Sequence, residues 1–97
     1  MSVVVAFMLR VEIALDRSDV GTKPWEDHLF GELKRVMLAS KSFDELSLLV
    51  RAGSMSDDFR RVHDRLCADE ELVRYMLALG LEQKKIDPAT AHLFASE

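Results

Sequence analysis

From Pro24 onward the apolar residues of this chain recur at three- and four-residue steps, and nearly every run is preceded by a residue able to cap a helix. Period and punctuation together demand helices, because a strand would need alternation in twos and turn residues between paired runs. Trp25, Leu29, Phe30, Leu33, Val36 and Met37 form one such stripe, with Glu26, Asp27, Glu32, Lys34 and Arg35 largely opposite. Pro24 supplies the fixed φ that suits a first helical turn, after a boundary of Ser, Asp and Gly between Asp16 and Lys23.

The later helices announce themselves in the same way. "SFDE" at 42–45 fits a capping box, the Ser42 hydroxyl accepting from the Glu45 amide while the Glu45 carboxylate reaches back to the Ser42 amide. Gly53 is placed to close that helix. Ser54 or Ser56 then opens a segment whose inward stripe is Phe59, Val62 and Leu66, with Asp57, Asp58, Arg60, Arg61, Asp64 and Arg65 facing water. Asp69 caps the next helix, Glu70 and Glu71 suit the positive end of its dipole, and Gly80 is expected to end it. In "DPATAHLF", Asp87 and Pro88 start a short last helix that carries Leu93 and Phe94.

"SVVVAFMLRVEIAL" at 2–15 admits two periods. As a strand it alternates cleanly, with Val3, Val5, Phe7, Leu9, Val11, Ile13 and Leu15 on one side. As a helix it gathers Val4, Phe7, Met8, Val11, Ala14 and Leu15 on one face, with Ser2 as cap. No other segment reads as a strand, and a lone strand has no ladder partner in its own chain. The helix is therefore the expectation; the alternative is a strand at 3–15 pairing across a dimer.

The expected fold is all-α, a single domain over residues 1–97 built as a compact bundle of five to six short helices. At 97 residues, 48% hydrophobic and 31% charged, the chain can bury one modest core without staples.

Bulk properties narrow the function. A net charge of −4 gives no electrostatic pull toward nucleic acid or an anionic bilayer. The apolar run Val3 to Leu9 is far short of the ~20 residues a transmembrane helix needs. It also lacks the positive leader and cleavage site of a secretory signal, and its Arg10 and Arg17 are balanced by Glu12 and Asp16 rather than forming a basic face. One cysteine, Cys67, cannot make an internal disulfide. Cytoplasmic placement without membrane attachment is the expectation.

Candidate chemistry is sparse. His63 and Cys67 lie four apart, so a helix puts them on one face, where His28 or His92 could complete a metal site. Both border the Phe59, Val62 and Leu66 stripe, where a thiol behaves as a small hydrophobe. His28 beside Asp27 and within a turn of Glu32 can be drawn as an acid–base pair, but the surroundings read as a solvated face. The four glycines are isolated and build no phosphate loop. No catalytic residue, metal or cofactor is assigned.

Residues 42–66 have the helix, glycine turn and second helix of a helix-turn-helix. Arg60, Arg61 and Arg65 are the candidate nucleic-acid contacts under that alternative. Against it, Leu49 is bulky where the motif wants a small residue, and Asp57 and Asp58 meet phosphates with the wrong sign. Residues 42–68 hold five carboxylates against four arginines. Asp57 with Arg61 and Arg60 with Asp64 have the spacing of neutralising i,i+4 pairs.

The reading is a small non-enzymatic interaction or regulatory module of adaptor, chaperone, antitoxin or immunity type, acting through a helical surface. A homodimer is expected, with Val4, Phe7, Met8, Val11, Leu15, Trp25 and Phe30 as its candidate interface. The opening segment is apolar on more than one face, more than a small bundle covers.

Overall fold

A computed structural model describes residues 2–52 and 56–90. Five helices follow one another in chain order: α1 (Val3–Leu15), α2 (Lys23–Leu38), α3 (Phe43–Arg51), α4 (Asp57–Ala68) and α5 (Glu70–Glu82). A further helical turn begins at 88–90, and there is no strand among the described residues. The fold is all-α, and residues 3–15 are helix, not the alternative strand.

Each helix starts where its side chains can satisfy the free amides of a first turn. The hydroxyls of Ser2, Thr22, Ser42 and Ser56 accept from the amides of Val5, Trp25, Glu45 and Phe59. Asp69 does the same for Leu72, and Asp87 accepts from Ala89 and Thr90.

One contiguous apolar core joins the five helices. α2 is its hub, lying against α1, α4 and α5. Trp25 is 1% exposed, and its indole N–H donates to the Ala14 carbonyl at 2.8 Å, which fixes the end of α1 to the start of α2. Phe7 of α1 meets Phe59 of α4 edge to face, with ring centroids 6.3 Å apart.

The link between α2 and α3 is held from α5. Tyr75 donates its hydroxyl to the Ser40 carbonyl, and Gln83 accepts from the Phe43 amide while donating to the Lys41 carbonyl. Ser40, fully buried, turns the expected capping box into a relay. Its hydroxyl accepts from the Ser42 amide at 3.3 Å and donates to the Glu45 carboxylate at 3.2 Å. Glu45 thus supports the Ser42 amide through Ser40 instead of reaching it directly.

α5 does not stop at Gly80. It runs two residues further, and Lys84, with φ of 58°, takes the left-handed position after its end. The Lys85 amide donates to the Gly80 carbonyl and the Lys84 amide to that of Leu81, the paired bonds of a Schellman cap. Gly80 is needed for space: Ile86 packs back across it. The expected closing role of Gly53 falls outside the described residues, as do Ser54, the alternative cap, and Leu93 and Phe94.

Candidate functional site

α1 is apolar on two faces, and the bundle covers only one. Phe7, Val11 and Ala14 are buried, with Val3, Val4, Ala6 and Leu15 packed partly against the core. On the other side Val5, Leu9 and Ile13 follow one another at four-residue steps, exposed by 48%, 41% and 66%, and Met8 joins them. Four large apolar side chains on one helix face form a contiguous exposed patch, not scattered surface residues. Exposed Glu12, four residues after Met8 and three after Leu9, stands within this face, while Arg10 at its edge is drawn away toward Glu32 of α2 at 3.3 Å.

The candidate interface set therefore divides. Phe7, Val11 and Trp25 are core residues, each no more than 2% exposed, and cannot meet a partner while this core is intact. Val4 and Leu15 are half-buried against the same core. Phe30 is half-buried, and its ring lies under the Arg65 guanidinium at 4.3 Å. Met8 alone of the seven lies on the open face. Val5, Leu9 and Ile13 take the place of the rest. Their signal was present in the sequence as a second four-residue series, but a helix wheel does not say which of two apolar faces the bundle will bury.

Two of the three α4 arginines are paired across to α2. Arg65 donates to Asp27 at 2.7 Å and to Glu26 at 3.1 Å, and Arg61 reaches Glu26 at 3.2 Å. The Arg65 hydrogen bond holds the Asp27 carboxyl below the usual aspartate range. Arg61 thus turns across to α2 instead of along its own helix to Asp57. Only Arg60 of the three stands exposed without a role in this α2–α4 network.

His63 and Cys67 do come together, with Sγ 3.7 Å from Nε2. The imidazole is already employed: Nε2 lies 2.7 Å from the Val50 carbonyl, so it donates there and ties α4 to the last turn of α3. A nitrogen that carries this proton has no lone pair for a metal. No group of three His, Cys, Asp or Glu side chains that could hold a metal exists among the described residues. His92 lies outside them, and His28 is on the exposed side of α2. There Asp27 is engaged by Arg65 and Lys23, and Glu32 by Arg10 and Arg35. Burial, then the charge of Asp64, pushes the Cys67 thiol above its ordinary pKa, the opposite of an activated nucleophile.

Beside His63 and Cys67 lies a cavity of about 370 Å³. Buried Phe7, Met37, Leu49, Leu66 and Leu72, one from each helix, make its floor. The cavity opens to solvent on one side, so its apolar walls stay in contact with water unless something covers them. Its residues come from five separated segments, and no local pattern in the sequence marks it.

Comparison with protein-family models, with curated proteins and with solved structures finds no match to this chain.

Proposed function

We propose that this chain is a protein-interaction module that works by presenting a helical surface, and that the surface first engages a second copy of the chain. The observation that carries this reading is the outer face of α1, where Val5, Met8, Leu9 and Ile13 stand uncovered in one stripe. Covering such a stripe removes apolar area from water on both partners at once, and a two-fold axis lets the same patch serve both sides. The stripe is one helix wide and about 12 Å long from Val5 to Ile13. A contact of that size belongs to the small, reversible class of interfaces, so the dimer exchanges with monomer as concentration changes.

The pairing of Arg61 and Arg65 with carboxylates of α2 supports this reading over DNA binding, since phosphate contacts would have to compete with Glu26 and Asp27. No helix among the described residues is long and apolar enough to cross a membrane. A cytoplasmic regulatory role without catalysis, suited to a chain with one unpaired thiol, belongs to the same proposal.

The test is molar mass by light scattering over a wide concentration range, for the native chain and for Leu9→Glu with Ile13→Glu. The native mass is expected to climb toward twice the monomer. The double variant should stay monomeric with an unchanged helical spectrum. A native chain that remains monomeric throughout, or a double variant that dimerises equally well, overturns the proposal.

A further inference from the structure

The cavity beside α5 is independent of the α1 face. Its floor reaches the centre of the bundle, and its rim is formed by half-buried Phe43, Val50, Val73, Leu77 and Ile86. We infer that this cavity is a binding site for a small uncharged apolar molecule, an aliphatic chain or fused aromatic with at most a single hydroxyl.

Volume sets the size of the ligand. Scaled from benzene in a cavity of about 150 Å³, the space holds roughly fifteen non-hydrogen atoms. A partner helix is too large, since two turns with side chains occupy on the order of 850 Å³. The 370 Å³ available falls instead in the range of small-molecule sites. Wall chemistry sets the class. Among the described residues no Lys, Arg, Asp or Glu lines the cavity, so a charged group carried inside would lose its water and gain no counter-ion from them. Among the described residues the polar lining side chains are His63 and Cys67. His63 donates its Nε2 proton to Val50 and its Nδ1 lies 3.7 Å from the exposed Asp64 carboxylate, which leaves the weakly polar Cys67 thiol as the contact for one hydroxyl. Water is a poor occupant for the same reason, since it needs several polar partners that these walls do not offer.

Cys67 also makes the site readable, because it is the single cysteine of the chain and lines the cavity. The experiment titrates the full chain with phenylnaphthylamine, a neutral fluorophore that brightens in apolar surroundings, and follows alkylation of Cys67 by iodoacetamide in parallel. One-to-one saturable binding, displacement by decanol and slower alkylation in the presence of decanol are expected. Val73→Trp and Met76→Phe each fill the space from α5 and should weaken binding about ten-fold or more while keeping the helical spectrum. Absence of saturable binding overturns the inference. So does binding that both folded variants leave unchanged. If the fluorophore binds only after Leu93→Asp with Phe94→Asp, the chain's own C-terminal residues are the occupant and the small-molecule site falls.

Discussion

Gly80 and Ile86 approach so closely that a methyl group on the Gly80 α-carbon would stand 2.5 Å from Ile86 Cδ1 and 3.1 Å from Phe43 Cδ2. The glycine lets the segment after α5 fold back and lay Ile86 on the cavity rim. Gly80→Ala improves helix propensity by about 1 kcal/mol. Crowding of Ile86 against Phe43 costs about 1–3 kcal/mol. The expected net change is a destabilisation of about 1 kcal/mol in urea unfolding.

Gly31 offers the opposite case on the same chemistry. It lies inside α2, is exposed, and a Cβ there would meet nothing within 4 Å. Gly31→Ala is therefore expected to stabilise by about 1 kcal/mol, through helix propensity and a less flexible unfolded chain. Running both substitutions in one denaturation series tests the sign reversal directly. Two changes of the same sign would mean that the crowding at Gly80 is relieved by movement of Ile86.

These two glycines also show what was legible in the sequence. Local signals carried through: Ser2 before Val3, Ser42 before Glu45, Ser56 before Phe59 and Asp69 before Glu70 all begin helices, because a cap acts within one turn of its own chain. Gly80 misled, since a glycine that ends a helix and one that admits a neighbour look alike until the neighbour, six residues on, is placed. The α4 arginines are a similar case. Asp57 is four residues from Arg61 and Glu26 is thirty-five away, but packing of α4 on α2 makes the distant acid the partner. The exposed face of α1 was present as periodicity, while its exposure depended on how much apolar surface the other four helices could bury.

Lys84 carries the left-handed turn that Gly80 does not. Its φ of 58° is a conformation that a side chain enters at a cost, whereas glycine adopts it freely. The side chain is exposed, so little packing is lost on removing it. Lys84→Gly is expected to raise stability by about 0.5–1 kcal/mol, net of the added freedom of glycine in the unfolded chain. Thermal unfolding with the transition shifted upward checks it, and Lys84→Ala should show no comparable gain, since alanine pays the same backbone cost.

Asp69 joins two helices through one carboxylate. Oδ1 accepts from the Leu72 amide at 2.9 Å and caps α5, while Oδ2 meets Lys34 of α2 at 3.0 Å. Burial pushes its pKa up, but the Leu72 amide and the Lys34 ammonium together outweigh burial, and the carboxyl lies below its ordinary 3.8. A carboxyl held below its unfolded value stabilises the fold above that value, and the contribution is lost as pH falls through the folded pKa. Asp69→Asn keeps a good cap and removes both the charge and the titration. At neutral pH the native chain should therefore be more stable than the variant. That advantage should shrink as the pH is lowered below 3.8, and urea unfolding of both chains at neutral and acid pH measures it. A stability difference that stays constant with pH would mean that neither the Leu72 amide nor the Lys34 ammonium favours the charged carboxylate in the fold.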